Sequence, residues 1–309
     1  MAGGYRPMLA VAGELPTGPG WSYEFKWDGI RAIAEISGGR LRLSARSGAD
    51  ITVAYPELGG LAGLPGELVI DGEVAVLGPA GPSFAALAER MHVRDAHRAA
   101  ALAARLPVTY LIFDLLAADG TDLTAQPYRT RRAALRDRVA DGPHWLVPPV
   151  FDDGAATWAA AEENGLEGVV AKRLDGQYRP GRRSADWIKV KRVHHDDLVV
   201  GGYRPGARTI GALLVGEYDG AGLRYRGRVG GGISAAKERQ LLDLLAPLAA
   251  DASPFADPVP AEDARGAHWV TPTIVVEVTY GNRTTDGRLR FPRLNRIRTD
   301  REVPWQPNE

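Results

Sequence analysis

The sequence predicts an α+β protein of two domains, in which antiparallel sheets with helices are followed by a small β-barrel. The length of 309 residues exceeds that of a typical single domain. Strand-like and helix-like hydrophobic patterns alternate as far as Arg192. Beyond Asp197 short strand patterns between Gly and Asp turns dominate, with one helix among them, which suits an OB-fold. A sandwich topology would satisfy the same pattern.

The first domain is predicted to span residues 1–193 and the second residues 197–309. Within the first, Tyr23–Ile36 should form strand, turn and strand, and the alternating Leu41–Ser44 should pair close by. In Leu68–Leu77 the polar insert Asp71-Gly72-Glu73 separates two apolar halves, which indicates a pair of strands. The remaining elements are a helix over Ser83–Arg105 capped by Ser83, helices over Tyr128–Val139 and Ala155–Asn164, and strands over Val108–Leu116, Gly168–Arg173 and Trp187–Arg192.

The second domain should begin after His194 and His195, which we interpret as part of a linker because no further metal-ligand candidates accompany them. Its strands are predicted over Leu198–Gly202, Ala212–Tyr218, Leu223–Val229 and Ile274–Tyr280. One helix is predicted over Ser234–Leu248, and Ala252–Gly266 has the composition of a loop.

Composition excludes several classes of function. The formal net charge is +0, so local basic clusters must meet any polyanionic partner. The absence of cysteine excludes disulfides and cysteine-based zinc sites and fits a reducing cytosol. No apolar stretch reaches membrane-spanning length, and the Gly- and Pro-rich start differs from a signal peptide. We therefore expect a cytoplasmic protein without a membrane partner.

Lysine is rare in this chain, and its placement indicates chemistry. Among 38 basic residues the lysines are Lys26, Lys172, Lys189, Lys191 and Lys237. A retained lysine is a candidate for reactions that a guanidinium cannot perform, such as attack as a neutral amine. Strand alternation places Glu24 and Lys26 on one face, and a turn at Gly29 can return Arg31 toward Lys26. An exposed lysine beside a hairpin turn would fit the short Lys-x-Asp-Gly string equally well.

An amine nucleophile must first lose its proton. With a free-lysine pKa of ~10.4, supplying the neutral amine near neutral pH costs roughly 4 kcal/mol. Neighbouring cations or a metal ion lower that cost. Lys189 and Lys191 share one face of a predicted strand by their spacing and could supply such charge. The alternative is a solvated basic edge strand.

Carboxylates in two further strings suit a magnesium ion, which prefers few protein oxygens together with phosphate oxygens. They are Asp71-Gly72-Glu73 and Glu167, which precedes the strand Gly168–Arg173. Asp71-Gly72 could equally be a simple hairpin turn. Phe113 could stack on a base or pack in the core. The Gly-x-x-x-x-Gly-Lys phosphate loop is missing, so nucleotide binding would need another device.

Together these strings resemble the six collinear motifs of the nucleotidyltransferase superfamily that includes ATP-dependent DNA ligases. The compact bacterial ligase C type and the ligase module of ligase D are most similar. Seven strings cover these six motifs in order: Lys26–Arg31, Arg46–Gly48, Ile70–Glu73, Phe113, Glu167–Lys172, Lys189–Lys191 and Arg290–Asp300, the last of which is the sixth motif. The resemblance implies an adenylation domain followed by an OB-fold.

The resemblance also implies the site residues. Catalytic roles are implied for Lys26, Asp28, Lys189 and Lys191, and metal binding for Glu73 and Glu167. Nucleotide contacts are implied for Glu24, Lys26, Arg31, Arg46, Glu73, Phe113, Glu167, Arg183, Lys189, Lys191, Arg296, Arg298 and Asp300.

Within that set, Glu24 should meet the adenine edge and Phe113 should stack on the base. Arg31 and Glu73 should hold the ribose side, and Arg46 the ribose or the 5′-phosphate of a nick. Three further groups are implied to contact phosphates: Lys189 and Lys191 at the α-phosphate, Arg183 nearby, and Arg296, Arg298 and Asp300 at the pyrophosphate when the OB-fold closes.

The implied reaction uses ATP with Mg²⁺ or Mn²⁺ and joins nicked or broken duplex DNA through a lysyl-AMP on Lys26, in DNA repair. Arg301 stands where the family often has lysine, and no DNA-binding domain precedes Lys26. DNA is therefore expected to be held by arginine-rich surfaces, such as Arg182-Arg183, in a monomer associated with the nucleoid.

Four other functions compete with this one. RNA ligases and capping guanylyltransferases share the Lys-x-Asp-Gly core, but many RNA ligases lack the sixth motif, and Glu24 favours adenine over guanine. NAD-dependent ligases are longer and carry a cysteine zinc site. A catalytically silent OB-type nucleic-acid-binding module would not need Lys26, Glu73 and Glu167 together.

Overall fold

The computed structural model describes residues 4–78, 81–207, 209–284, 286–301 and 303. It divides into two compact units, unit 1 over Met1–Arg192 and unit 2 over Val193–Glu309. No helix among the described residues has both the length and the apolar character needed to cross a membrane.

Unit 1 combines two main sheets with short helices. Its strands are β1 (Leu9–Ala12), β2 (Trp21–Phe25), β3 (Ile30–Ser37), β4 (Arg40–Ala45), β5 (Leu68–Ala75), β6 (Leu77–Gly78), β7 (Gly81–Pro82), β8 (Thr109–Ala118), β9 (Thr121–Asp122), β10 (Trp145–Leu146), β11 (Gly168–Arg173) and β12 (Arg183–Lys191). Its helices are α1 (Phe84–Ala88), α2 (Ala96–Arg105), α3 (Tyr128–Arg138) and α4 (Gly154–Glu163), with 3-10 turns at Thr52–Ala54 and Pro56–Gly63.

One sheet has the strand order β1-β12-β11-β2, and the other has the order β10-β8-β5-β3-β4 with β9 beside β8. Pairing is mostly antiparallel, although β1 with β12 and β10 with β8 are parallel. The predicted strand, turn and strand near Tyr23 are present as β2 and β3, which belong to different sheets. The segment 26–29 therefore crosses from one sheet to the other.

Two contacts explain this crossing. The Lys26 amide donates to the Gly168 carbonyl at 2.8 Å, which extends the β2–β11 ladder by one residue. At Gly29 a Cβ atom would lie 2.3 Å from the Val74 carbonyl oxygen, so only glycine allows the chain to pass so close to β5. Sequence and backbone together thus place Lys26 where the two sheets meet.

The sequence prediction was wrong for Leu68–Leu77, because β5 runs through Asp71-Gly72-Glu73 without a turn. Pairing with β3 on one side and β8 on the other overrides the local turn signal of Asp-Gly. The prediction of one helix over Ser83–Arg105 was also wrong. Ser83 does cap a helix, but α1 ends at Ala88, and His92 has a φ of 63° before Asp95 caps α2.

A buried ion pair joins α3 to the second sheet. Arg131 Nε and Nη2 each lie 2.8 Å from an oxygen of Asp114, and neither side chain is exposed to solvent. Arg131 Nη1 donates to the carbonyls of Gln126 at 2.6 Å and Gly176 at 3.1 Å. Every charge in this pair is therefore compensated, as a buried ion pair requires.

Asp114→Asn is expected to destabilise unit 1 by about 3–5 kcal/mol, because it leaves the Arg131 guanidinium buried without its counter-charge. Glu89→Gln breaks an ion pair with Arg105 whose side chains are more than half exposed and is the matched control, expected to cost under about 1 kcal/mol. Chemical denaturation of the two variants measures the difference. Equal costs would contradict the assignment.

Unit 2 is a single sheet with helices beside it, and it forms the OB-fold region of the chain. Its strands are β13 (His194–Arg204), β14 (Ala212–Asp219), β15 (Gly222–Val229), β16 (Ala249–Ala250), β17 (His268–Tyr280) and β18 (Arg293–Ile297), and its helices are α5 (Ala235–Leu245) and α6 (Ala261–Ala264), with a 3-10 turn at Ala246–Leu248. The order β15-β14-β13-β17-β16, with β18 beside β17, is antiparallel. The interpretation of His194 and His195 as a linker was wrong, since they pair with Tyr280 and Thr279 at the start of β13.

Candidate nucleotide-binding site

A cavity in unit 1 collects most of the site residues predicted there. Those that line it are Glu24, Lys26, Arg31, Arg46, Glu73, Phe113, Arg183 and Lys189. Other wall residues were not predicted as site residues: Met8, Leu9, Ala10, Phe25, Trp27, Val170, Lys172 and Trp187. Asp28, Glu167 and Lys191 lie outside the lining set, but Glu167 and Lys191 connect to it through ion pairs.

Strand register explains how distant strings meet in one wall. In the first sheet Val170 pairs with Glu24 on one side and with Lys189 on the other, so these three residues form one row across β2, β11 and β12. Residues in register on neighbouring strands share a face. In the second sheet Arg31 pairs with Glu73, which brings the end of the lysine string beside the acidic string.

Glu167 joins two of the lysines. Its carboxylate accepts a hydrogen bond from Lys26 Nζ through one oxygen and lies 2.6 Å from Lys191 Nζ through the other. Both lysines lower the pKa of this carboxyl below its ordinary value despite its burial. Glu167 is thus anionic at neutral pH. Because Lys26 Nζ donates a hydrogen bond to this carboxylate, nucleophilic attack by its amine requires a change of partner at Glu167.

Lys189 lies in a strongly positive surrounding. Burial, followed by the charges of Lys191, Arg183 and Lys26, lowers the pKa of Lys189. Glu167 offsets part of this positive charge, and a further anion bound among the cations would offset more of it. The cluster is therefore suited to hold a phosphate group beside Lys26.

Arg31 is fixed by the buried Asp71 rather than by Glu73. Its Nε and Nη2 donate to the two Asp71 oxygens at 2.5 and 2.6 Å, and the Tyr178 hydroxyl donates to the same carboxylate. The guanidinium carbon lies 4.5 Å from the Phe113 ring centroid. A bidentate pair with a stacked aromatic ring holds a guanidinium in one orientation.

Glu73 is held in an unusual state. Desolvation raises its pKa to about 7, while Arg31 and Lys26 lower it and the nearby Asp71 and Glu167 raise it further. The carboxyl is therefore partly protonated near neutral pH. A cation entering the cavity would favour its ionised form.

Glu73→Gln is expected to gain stability relative to the native chain as pH rises. Because the folded-state pKa of Glu73 lies above its ordinary value, the native chain loses stability as pH rises from about 4.5 through about 7, by about 3 kcal/mol. Glutamine does not titrate. Melting temperatures across that range measure the effect, with Glu89→Gln as control. A constant difference between native and Glu73→Gln proteins would contradict it.

Lys172 is the most enclosed lysine of the cavity wall. Its Nζ lies 2.8 Å from Glu24 and 4.3 Å from the ring centroids of Phe113 and Trp187. Burial lowers the pKa of Lys172, while Glu24 opposes that shift. Tyr128 donates a hydrogen bond to Glu24, so the carboxylate predicted to meet adenine is held from two sides. The flat aromatic faces and the paired polar groups suit a heterocyclic base.

Two carboxylates are available for a divalent cation. Glu73 and Glu167 influence each other electrostatically, and magnesium sites commonly use one or two carboxylates with substrate phosphates. Within the described part of the chain no group of three or more His, Cys, Asp or Glu side chains could hold a metal by itself. The donor set thus fits a cation that arrives with a phosphate-bearing ligand.

The sixth-motif residues lie together in unit 2. Arg298 lies between Asp197 and Asp300, with Nη1 3.0 Å from an Asp197 oxygen and Nε 2.9 Å from an Asp300 oxygen. Arg296 Nε donates to Glu277 at 2.8 Å. The predicted grouping of Arg296, Arg298 and Asp300 is therefore a compact cluster of charges.

Some site residues escaped sequence reasoning. Trp187 precedes Lys189 by two residues, so alternation could have placed both on one face. Lys172 ends the string that begins at Glu167, and its rarity as a lysine was the available signal. Met8 and Ala10 carried no chemical signal, since they enter the wall through the parallel pairing of β1 with β12.

The two units and this cavity, whose wall brings Lys26 together with Lys189, Arg183 and the rings of Phe113 and Trp187, fit the nucleotidyltransferase class. The family model described as ATP dependent DNA ligase domain matches residues 7–191, and the model described as ATP dependent DNA ligase C terminal region matches residues 206–301. The chain belongs to the ATP-dependent DNA ligase family.

Similar proteins support this family membership. The chain is 39% identical over 306 residues to the multifunctional non-homologous end joining DNA repair protein LigD of Mycobacterium tuberculosis, covering 96% of this chain and 39% of that protein. It therefore spans about two fifths of that relative. DNA ligase C2 of Mycolicibacterium smegmatis is 36% identical over 327 residues, covering 96% of this chain and 91% of the ligase.

Solved structures give the same result. The mycobacterial DNA ligase D complexed with ATP and MES is 38% identical, with a TM-score of 0.56, and the alignment covers 99% of this chain and 98% of that one. The ligase domain of M. tuberculosis LigD has a TM-score of 0.56 at 37% identity and the same coverage. A Lig E DNA ligase, 18% identical with a TM-score of 0.62, shares the fold.

Proposed function

We propose that this protein joins a 5′-phosphate to a 3′-hydroxyl in duplex DNA through a lysyl-AMP intermediate on Lys26. The observation that carries the proposal is the position of Lys26 in the cavity wall, where it pairs with Glu167 and borders the cationic Lys189. An amine beside a cluster of cations can attack an α-phosphate while the developing charge on phosphate is stabilised.

The first step is attack of the Lys26 amine on the α-phosphorus of ATP. The N–P bond forms as the bond to the β-phosphate oxygen breaks, pyrophosphate leaves with its electron pair, and the nitrogen releases one proton to solvent. Lys189, with Lys191 and Arg183 nearby, supplies positive charge for the phosphate oxygens. Glu24, with Lys172 beside it, is assigned to the adenine edge, and Phe113 to its face.

Glu73 and Glu167 are the residues that would hold a magnesium ion. The ion would supply Lewis-acid stabilisation of phosphate charge when bound. Its attraction to Glu167 would also weaken the ion pair between that carboxylate and Lys26. Glu73, which is partly protonated near neutral pH, would then be ionised.

Two transfers complete the reaction. The 5′-phosphate of the broken strand attacks the lysyl-AMP, which moves AMP to the DNA and returns the amine. The 3′-hydroxyl then attacks the activated phosphate, the phosphodiester bond forms and AMP leaves. Arg46 lines the cavity and is assigned to the ribose or the DNA phosphate, whereas Arg296, Arg298 and Asp300 are assigned to the pyrophosphate of the first step.

Sealing of matched nicks tests the proposal. Nicked DNA duplexes and nicked RNA duplexes of one sequence are incubated with ATP, GTP or NAD, each with Mg²⁺ and with Mn²⁺. The proposal predicts joining of DNA with ATP. Joining of RNA alone, or use of GTP or NAD in place of ATP, would overturn the substrate assignment. Absence of any protein-linked or DNA-linked AMP would overturn the enzyme assignment.

A further inference from the structure

The sixth motif of unit 2 lies in a cluster of balanced charge. Three arginines meet three carboxylates: Arg296, Arg298 and Arg301 with Asp197, Glu277 and Asp300. The arginines and Asp300 belong to the C-terminal segment 296–301. The other two carboxylates come from β13 and β17, outside any of the motif strings. Their role is the subject of the inference.

Strand register places Asp197 and Glu277 directly opposite each other on β13 and β17. Glu277 is in turn opposite Arg296 on β18. Two like charges opposite each other on paired strands destabilise a sheet. Cations offset that cost here, since Arg298 Nη1 lies 3.0 Å from Asp197 and 3.7 Å from Glu277. Asp197 and Glu277 thus form an acidic site that binds guanidinium groups.

Arg298 presents two different edges to its partners. Its inner nitrogen, Nη1, contacts both oxygens of Asp197 at 3.1 and 3.0 Å, and the Asp197 side chain is only 18% exposed. Its outer edge, Nε and Nη2, meets Asp300, whose side chain is 64% exposed. A guanidinium binds phosphate through such a two-nitrogen edge. The inner contact therefore fixes the side chain, and the outer edge is the one suited to a phosphate.

Two further contacts stabilise the same arrangement. Arg301 Nη1 lies 3.1 Å from Asp197, so this half-buried carboxylate pairs with two arginines. Lys237 Nζ donates to the carbonyls of Leu294 at 3.2 Å and Asn295 at 2.6 Å, which holds the backbone of β18 just before Arg296. Side chains and backbone are therefore both constrained.

We propose that Asp197 and Glu277 are positioning residues that hold Arg296, Arg298 and Arg301 ready for the pyrophosphate end of ATP. Neither carboxylate touches the nucleotide in this account, because both act through the arginines. The inference rests on the proposed function, in which the sixth motif serves the first step alone. It goes beyond that function by assigning the support of this motif to residues of β13 and β17.

Asp197→Asn in the full chain tests the inference, and Asp196→Asn is the matched control. Asp196 is the preceding residue of β13 and pairs instead with Arg283 and Tyr280. We expect Asp197→Asn to lower the second-order rate of protein adenylation by ATP and Mg²⁺ by ~10-fold or more, the loss typical of a charged hydrogen bond. Asp196→Asn should adenylate at the native rate.

Two other readouts separate positioning from a loss of folding. Sealing of a pre-adenylated nick by Asp197→Asn should stay within about 2-fold of native, because pyrophosphate takes no part in it. In the reverse of the first step, pyrophosphate takes AMP from the adenylated protein and forms ATP. The pyrophosphate concentration that gives half the maximal rate of this reaction should rise by ~10-fold, because the same contact is lost. Glu277→Gln provides a second variant and should show the same pattern, and it decides the test if Asp197→Asn melts below the assay temperature.

The possible results distinguish the inference from the function beneath it. The positioning role would be overturned if the adenylation rates of Asp197→Asn and Glu277→Gln both depended on ATP concentration as that of the native protein does. Equal losses in adenylation and in sealing would also overturn it, since they indicate general structural damage. Failure of the native protein and of Asp196→Asn to form protein-linked AMP would instead overturn the proposed function.

Discussion

Replacing Lys26 with arginine or with alanine is expected to abolish formation of protein-linked AMP from ATP, by at least about 10³-fold. Arginine keeps the positive charge toward Glu167 but cannot become a neutral nucleophile, because a guanidinium stays protonated in proteins. Alanine removes the nucleophile altogether. Labelled ATP with Mg²⁺, followed by denaturation in detergent at neutral pH and gel separation, measures the adduct.

Two controls make this result specific to the nucleophile. Both variants should unfold at temperatures close to that of the native protein, and both should still seal a pre-adenylated nick, where no lysine attack is needed. Normal labelling of Lys26→Arg would contradict the assignment of Lys26. Loss of sealing on pre-adenylated DNA to the same extent as labelling would indicate a damaged cavity instead.

Removing unit 2 by ending the chain after Arg192 is expected to suppress reaction with ATP by ~10²-fold or more, the scale of lost transition-state donors. Sealing of pre-adenylated nicks should fall less, because the sixth motif is assigned to the pyrophosphate of the first step. Unit 1 has hydrophobic clusters of its own, which supports its use as an isolated protein. Single-turnover rates for the two reactions provide the comparison.

Low ionic strength and saturating DNA are needed in the sealing assay, since removal of unit 2 also removes cationic surface. Arg298→Ala in the full chain is the companion variant, because it removes one guanidinium and leaves the rest of unit 2 in place. A larger loss in sealing than in adenylation for both proteins would contradict the assigned role of the sixth motif.

Much of the fold followed from local patterns in the sequence. The apolar run Val108–Leu116 predicted the buried strand that became β8, and helical spacing predicted α3 close to its observed bounds. The failures came where tertiary pairing outweighed local preference. Asp71-Gly72 has a strong turn signal, yet burial between β3 and β8 and the contacts of Asp71 with Arg31 and Tyr178 keep it in a strand.

The site likewise contains residues that the sequence predicts and contacts that it does not. Lys26, Glu73 and Lys189 could be predicted from residue type and spacing, and the structure brings them to one cavity. The contacts that fix Arg31 could not be predicted, because Asp71 and Tyr178 are 107 residues apart and meet only through the fold. The strand register of Asp197 with Glu277 likewise has no signature in local sequence.

The central claim is that AMP becomes bonded to Lys26 and then passes to broken DNA. The most direct measurement is proteolysis and mass spectrometry of the protein after incubation with ATP and Mg²⁺, before and after addition of nicked duplex DNA. One peptide should carry AMP, with the modification on Lys26. The AMP should be lost from this peptide when the DNA is added. AMP on another residue, or an adduct that persists beside sealed DNA, would contradict the account.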